Sequence, residues 1–169
     1  MKKSMRIREG INMNFKIISH MASLEFSLNL PTQPSELMKL SEDYVNLPKY
    51  LPDQLKLIKI IDRTETETIT EETIVFSTLL KKNIIQQTNH KKDKENQLTS
   101  EIISGPAKGT KIITLFEKND SGSKVSMQLD LKLNLKAKIL RPIILKYYKM
   151  VLTSVLYKMN TEIIKMETK

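Results

Sequence analysis

The sequence predicts an α+β fold, in which a curved antiparallel sheet of about seven strands wraps around one long C-terminal helix. Three observations carry this prediction. Apolar residues recur every three or four positions over residues 139–166, the chain from 55 to 133 reads as consecutive strands, and short turns separate those strands. Short connections favour antiparallel neighbours. We therefore expect one strand, two short helices, about six further strands and the long helix, in that order.

The first strand is predicted at residues 23–30, where apolar and polar side chains alternate, and Pro31 ends it. A short helix then begins at Pro34, because proline is well tolerated in a first helical turn. Residues 48–52 form a second short turn with two prolines. The apolar stripe of the first helix comprises Leu37, Leu40 and Tyr44.

The middle of the chain is predicted to form successive strands joined by polar turns. Residues 65–72 alternate Thr and Glu, which is typical of an exposed strand or hairpin, and residues 90–96 are predicted to form a charged hairpin tip. The other strands are predicted at residues 56–63, 73–80, 84–90, 97–104, 110–118 and 125–133. A sheet of this length must twist and curl.

The last stretch is predicted to form one helix that begins near Pro142 and fills the concave side of the sheet. About 25 residues at 1.5 Å each give a length of about 37 Å. The apolar face comprises Leu140, Ile143, Ile144, Tyr147, Val151, Val155, Met159, Ile163 and Met166.

Composition sets the broad class of the protein. The chain has 169 residues, 40% hydrophobic, with a formal net charge of +9, a pI of about 9.6 and no cysteine. It lacks an apolar run long enough to span a membrane, and the absence of cysteine excludes disulfides and thiolate metal sites. We expect residues 1–21 to form a flexible basic arm, residues 22–169 to form one domain, and the protein to be cytoplasmic.

Three short motifs, in this order, carry a resemblance to a known superfamily. They are LPKYLP at 47–52, with an aromatic at Tyr50, SGPAKG at 104–109 and FEKNDSGSKV at 116–125. Together with the element order, they resemble the START-like (SRPBCC) helix-grip superfamily, which includes polyketide cyclases, coenzyme Q-binding proteins and birch-pollen-allergen-like proteins. Lys118 and Ser123-Lys124 depart from the usual motif without threatening its hairpin. The resemblance implies a cavity between sheet and helix that holds an apolar ligand.

The inward faces of the predicted elements supply the candidate ligand-binding residues. Such a site is mostly apolar with few polar groups, and the alternative is that these side chains simply fill the core. The candidates are Phe26, Tyr50, Phe76, Phe116, Met127, Leu129, Leu131, Tyr147, Val151, Ser154 and Val155.

The facing of the sixth strand depends on one hairpin pairing. If Phe116 pairs with Val125, Ile112 and Thr114 face inward. The side chains that then face outward, Ile113 and Leu115, form either a self-association surface or a covered face, so both a monomer and a homodimer are compatible with the sequence.

The sequence offers few groups for catalysis. Of the two histidines, His20 lies in the arm and His90 beside the charged tip, where we expect it to be solvated. We predict no catalytic residue, no metal site and no cofactor. Tyr147 and Arg141 are the best polar candidates near a pocket mouth. The acidic residues interpreted as a solvated strand face are Asp62, Glu65, Glu67, Glu71 and Glu72.

Two sets of basic residues suggest a second type of contact. One set crowds the start of the long helix and the other crowds the hairpin ends. If they share one side, they favour an anionic membrane or RNA; otherwise they form a solvated face. The sets comprise Lys136, Lys138, Arg141, Lys146 and Lys149, and Lys81, Lys82, Lys91, Lys92 and Lys94.

The sequence therefore leads to three hypotheses about function. The first is a non-enzymatic carrier or sensor of a small lipid-like, isoprenoid or polycyclic ligand. The second is a polyketide cyclase or aromatase-type enzyme, which requires a polar side chain deep in the pocket. The third is a ribosome or RNA interaction module that uses the basic surface.

Overall fold

The computed structural model of the chain describes residues 22–76, 82–133 and 138–168, without the side chains of Ala22, Phe76 and Lys82. The predicted arm, residues 1–21, lies outside the described residues. The strands are β1 (Ala22–Leu30), β2 (Leu55–Arg63), β3 (Glu67–Phe76), β4 (Lys82–Lys94), β5 (Gln97–Ile102), β6 (Lys111–Asn119) and β7 (Gly122–Leu131). The helices are α1 (Pro34–Ser41), a 3-10 helix (Tyr44–Tyr50), a one-turn 3-10 helix (Lys138–Leu140) and α2 (Arg141–Glu167).

The strands form one antiparallel sheet in the order β1-β7-β6-β5-β4-β3-β2. Strands β2 to β7 follow one another as a meander, and β1 adds to the far edge beside β7. The predicted α+β fold, with its curved antiparallel sheet and long C-terminal helix, is confirmed. The sheet curls because strand twist accumulates over seven strands.

Strands β1 and β7 supply the most regular part of the core. Their inward residues alternate with polar outward ones, and Leu30, Val125 and Leu129 are at most 1% exposed. Gly122 at the start of β7 has a φ of 138°, and a Cβ there would overlap the carbonyl oxygen of Leu30. Only glycine therefore allows the β6–β7 turn to approach the end of β1 this closely.

The β6–β7 hairpin settles the facing of β6. Phe116 pairs with Val125, which is the pairing predicted to turn Ile112 and Thr114 inward. Phe116 and Thr114 are buried on the concave side. The two alternate residues, Ile113 and Leu115, are half-buried, and self-association through them stays a prediction.

The first helical segment is shorter than its apolar stripe predicts. Helix α1 ends at Ser41, whose hydroxyl donates to the carbonyl of Leu37 at 2.8 Å and so competes with the helical ladder. Tyr44 therefore belongs to the following 3-10 helix, which contains Pro48. Its inclusion in the stripe of the first helix was wrong, although Tyr44 is buried.

The β4–β5 hairpin is longer than the charge pattern predicts. Residues 90–96 are not a charged tip, because β4 continues to Lys94 and only the Glu95-Asn96 turn separates it from β5. Lys94 pairs with Gln97 beyond a bulge, and Asp93 accepts a hydrogen bond from Thr99 across the hairpin. The charged residues therefore lie within a paired strand, in which β4 and β5 hydrogen-bond each other's backbone groups.

Strand β3 likewise merges two predicted segments. The Thr-Glu stretch at 65–72 and the strand predicted from residue 73 form one strand, Glu67–Phe76, and residues 77–81 lie outside the described part of the chain. Each residue of β3 from Glu67 to Phe76 pairs with a residue of β4. Because β3 is one continuous strand, alternate residues along its whole length lie on the concave face of the sheet.

Helix α2 has 27 residues, or about 40 Å at 1.5 Å per residue, with Pro142 in its first turn as predicted. Its C-terminal half packs against the core through Leu156, Met159 and Ile163, and Thr32 donates to Asn160 Oδ1 at 3.0 Å. The N-terminal half is only partly covered. Within the described residues, none of the helices is long and apolar enough to cross a membrane.

Candidate functional site

A partly enclosed cavity of about 220 Å³ lies between the concave face of the sheet and the middle of α2. The 3-10 helix and β2 form one wall, α2 forms the opposite wall, and strands β3 to β7 form the floor. Most of the lining is apolar. The apolar lining residues are Leu47, Leu51, Leu55, Ile58, Ile74, Leu98, Ile102, Ile112, Phe116, Met127, Val151, Leu152, Val155, Leu156 and Met159.

The structure brings five of the predicted ligand-binding residues to this cavity: Phe116, Met127, Tyr147, Val151 and Val155. The side chain of Phe76 lies outside the described residues. Among the described lining residues the remaining candidates are absent: Phe26, Tyr50, Leu129 and Leu131 are buried in the core beside the cavity, and Ser154 is half-buried on α2. Helical spacing also places Tyr148, Leu152 and Leu156 on the cavity side, one position away from the predicted face.

A polar patch occupies the β3–β5 part of the floor, and the sequence interpretation missed it. Its members are Glu72 of β3, Gln86, Thr88 and His90 of β4, and Ser100 of β5. The expectation that His90 is solvated and that Glu72 lies on a solvated face was wrong. His90 is 8% exposed, and the Glu72 side chain is 13% exposed.

Strand parity explains this placement. Glu72 lies two residues before the inward Ile74 in β3, and the inward set of β4 includes Gln86 and His90. Side chains two apart share one face of a strand. The alternation of the strands therefore indicated that these side chains lie on the inner face, but their polarity favoured a solvent-exposed position.

The polar patch is held together by a continuous hydrogen-bond network. Thr70 Oγ1 donates to Glu72 Oε1 at 3.1 Å, and Gln86 Nε2 donates to Glu72 Oε2 at 2.7 Å. His90 Nε2 lies 3.0 Å from Thr70 Oγ1 and 3.5 Å from Glu72 Oε1. On the other side of the ring, His90 Nδ1 lies 2.8 Å from Ser100 Oγ.

Both nitrogens of the His90 ring have polar partners. Nε2 faces the hydroxyl of Thr70, which also contacts Glu72, and Nδ1 faces the hydroxyl of Ser100. Tyr44 stacks on the His90 ring with centroids 4.1 Å apart, which holds the ring in this orientation.

The environment keeps Glu72 ionised. Burial alone raises the pKa of Glu72, but the hydrogen bond and charge of His90 and the hydrogen bonds from Gln86 and Thr70 lower it by more. The pKa of Glu72 thus lies below its ordinary value of 4.5. Burial, with the charge of Glu42, raises the pKa of Tyr44 to about 12, so its ring stays neutral against His90.

The tyrosines of α2 close the opposite side of the cavity. The Tyr147 hydroxyl donates to the carbonyl oxygen of Val75 at 3.2 Å, which ties α2 to β3. Burial raises the pKa of both Tyr147 and Tyr148. Arg141, the other polar candidate, is half-buried in the first turn of α2 and is not part of the described lining.

The basic residues at the hairpin ends are partly neutralised by acids. Lys91 pairs with Glu67 at 2.6 Å, and Lys92 pairs with Glu42 at 3.8 Å. At the start of α2, Lys138 and Lys146 are exposed, and Arg141 and Lys149 are half-buried; Lys94 is exposed too, while Lys136, Lys81 and the Lys82 side chain lie outside the described residues. Membrane and RNA contacts through these residues stay predictions. In residues 22–76, 82–133 and 138–168, no group of three His, Asp or Glu side chains has a metal-binding arrangement.

Solved structures with the same fold place this geometry in a known class. The protein TTHA0849 from Thermus thermophilus is 18% identical, with a TM-score of 0.70 over 86% of this chain and 97% of that one. The Zhui aromatase/cyclase from Streptomyces sp. R1128 is 8% identical, with a TM-score of 0.74 over 85% of this chain and 96% of that one. A START superfamily protein from Mycobacterium smegmatis is 13% identical, with a TM-score of 0.68 over 88% of this chain and 99% of that one.

These likenesses establish the fold: the chain has the START-like helix-grip fold, as its motifs indicated. No protein-family model and no curated protein sequence matches the chain. Function must therefore be argued from the cavity itself.

Proposed function

We propose that the chain binds a small, largely apolar molecule in the cavity between the sheet and α2. The observation that carries this proposal is the mostly apolar, partly enclosed cavity of about 220 Å³. A ligand that fills it removes apolar surface from water on both sides of the contact, which favours binding.

The volume limits the size of the ligand. Pockets for drug-sized molecules are about 300–1,000 Å³, and this cavity is smaller. We therefore expect a compact molecule, such as a bicyclic ring system or a short isoprenoid, rather than a sterol or a long polyprenyl chain. Solved proteins of this fold include an aromatase/cyclase and a START superfamily protein, which supports a role in handling small organic molecules.

A substitution that fills the cavity tests the proposal. Val151→Trp adds a large side chain to the α2 wall, and Met150→Trp adds the same side chain at a neighbouring position that is 49% exposed. We expect calorimetric titration with naphthalene-sized ligands to give a stoichiometry near one, with affinity reduced at least about tenfold in Val151→Trp and unchanged in Met150→Trp. Equal binding by both variants would place the ligand elsewhere and overturn the proposal.

Native mass spectrometry of the purified protein gives an independent measurement. A bound apolar molecule appears as a mass increment that is lost after organic extraction. A smaller fraction of Val151→Trp than of Met150→Trp should show this mass increment. Both variants gain a Trp side chain, but only in Val151→Trp does this side chain fill the cavity.

The polar patch supports a second candidate, an aromatase or cyclase-type enzyme. Such chemistry requires a base near the carbon between two carbonyl groups, and Glu72 lines the cavity. The lowered pKa of Glu72 makes it a weak base, and both His90 nitrogens already have partners. Binding is therefore the first candidate, and Glu72-dependent deuterium exchange into a bound diketone is the result that would favour the enzyme.

A further inference from the structure

Glu72 has an unused acceptor position beside the cavity. An ionised carboxylate has two acceptor positions on each oxygen. Oε1 accepts from Thr70 and faces His90 Nε2, whereas among the described residues Oε2 has one donor, Gln86. One lone pair of Oε2 thus lacks a protein donor in that part of the chain, and Glu72 is part of the cavity lining.

The neighbouring amide and hydroxyl groups already contact Glu72. Gln86 Nε2 donates to Glu72 at 2.7 Å and lies 3.4 Å from Thr88 Oγ1. Thr70 Oγ1 also donates to Glu72, at 3.1 Å. The charged acceptor of the β3–β4 part of the floor is therefore the Glu72 carboxylate, and its spare position is on Oε2.

We propose that Glu72 Oε2 receives a hydrogen-bond donor of the bound molecule, so that the ligand is a compact apolar compound with one hydroxyl or ammonium group. This proposal rests on the proposed ligand-binding function and names the polar end of the ligand. A carboxylate oxygen with a vacant acceptor position beside an apolar wall is poorly solvated, and a donor group of the ligand supplies the missing hydrogen bond. A carbonyl or ether oxygen at the same place meets a lone pair and gains nothing.

The cavity wall opposite the carboxylate fits the apolar end of such a ligand. Val151, Leu152 and Val155 of α2 face the floor across the void. Tyr44 holds His90 by stacking, so the acceptor is presented by a fixed network. The donor group and the apolar body of the ligand thus have separate, preformed partners.

The experiment compares four ligands that share one ring system: naphthol, naphthylmethylamine, the methyl ether of naphthol and naphthalene. Calorimetric titration of the wild-type chain should show naphthol or the amine binding about ten- to a hundredfold tighter than the ether, as expected for a hydrogen bond to a charged group. The hydroxyl and ammonium arms distinguish the two donor types. No preference for either donor over the ether in the wild type overturns the proposal, and this result needs no variant.

Two matched variants assign the preference to Glu72. In Glu72→Gln the donor preference should fall below about threefold, whereas Glu71→Gln, the same change on the opposite face of β3, should keep it. A preference that persists in folded Glu72→Gln also overturns the proposal. If none of these ligands binds the wild type, the proposed function fails; if all of them bind without donor preference, only this inference fails.

Discussion

The two halves of the concave face differ in what their inward residues do. On β1 and β7 the inward positions are buried and, except for Ser123, apolar, and they pack under α1 and the C-terminal half of α2. On β3 and β4 the inward positions carry Thr70, Glu72, Gln86, Thr88 and His90. All but Thr70 line the cavity, and Thr70 is fully buried and donates to Glu72. The same alternating strand pattern thus builds an apolar core on β1 and β7 and a polar floor on β3 and β4.

Burial therefore has a different effect on the free energy of folding in each of the two halves. At the β1–β7 edge, burial removes apolar surface from water and stabilises the fold. On β3 and β4, burial costs free energy unless every polar group finds a partner, and the hydrogen bonds around Glu72 supply such partners.

The largest expected effect tests the apolar half. Leu129→Ala removes a fully buried side chain of β7 that lies outside the cavity lining. We expect the free energy of unfolding to fall by about 2–5 kcal/mol in urea denaturation, because the change leaves a void in a packed core.

The matched change in the polar half is Thr88→Val, which keeps the shape of a residue that is 4% exposed. Within the described part of the chain, the hydroxyl takes part only in the weak 3.4 Å contact from Gln86, so the expected cost is about 1 kcal/mol. If Leu129→Ala and Thr88→Val lost equal free energies of unfolding, the two halves would contribute equally to stability, which would contradict the difference argued above.

The second prediction concerns the charge of the polar half. Glu72→Gln should lower the free energy of unfolding near neutral pH by about 1–3 kcal/mol, because the hydrogen-bonded carboxylate loses its charge. Urea denaturation over a pH series measures the difference from the wild type.

The sign of the pH dependence follows from the lowered pKa of Glu72. A carboxyl whose folded pKa lies below its unfolded value stabilises the fold above the ordinary pKa of 4.5, and this stability disappears as the pH falls through the lower folded pKa. The gap between wild type and Glu72→Gln should therefore close in acid. Glu71→Gln should change stability by no more than about 0.5 kcal/mol, and a similar gap for Glu71→Gln would contradict the assignment.

The sequence predicted the apolar half far better than the polar half. Alternation at β1 and β7 named Phe26, Met127 and Leu129 as inward residues, and all three are buried. The Pro142 start and the length of α2 were also predictable, because proline chemistry and helical periodicity are local.

The polar half depends on tertiary context. Parity put Glu72 and His90 on the inner face, but their polarity is equally typical of a solvated strand. Only the pairing of β3, β4 and β5 brings Thr70, Gln86 and Ser100 within reach, so that the charged residue is buried with partners. The same reasoning explains the charged hairpin, where strand pairing overrides the loop composition.

The smallest expected effect comes from the solvent side of the cavity wall. Lys49 of the 3-10 helix pairs with Glu162 of α2 at 2.8 Å, and their side chains are 44% and 29% exposed. The hydrogen bond with Glu162 raises the pKa of Lys49, and the same bond lowers the pKa of Glu162. Because water screens the pair, a double-mutant cycle of Lys49→Ala and Glu162→Ala should give a coupling of only about 0.2–1 kcal/mol, which decreases with added salt. A coupling as large as the effect of Glu72→Gln, or one insensitive to salt, would mean that this contact holds the cavity wall as firmly as the buried network holds the floor.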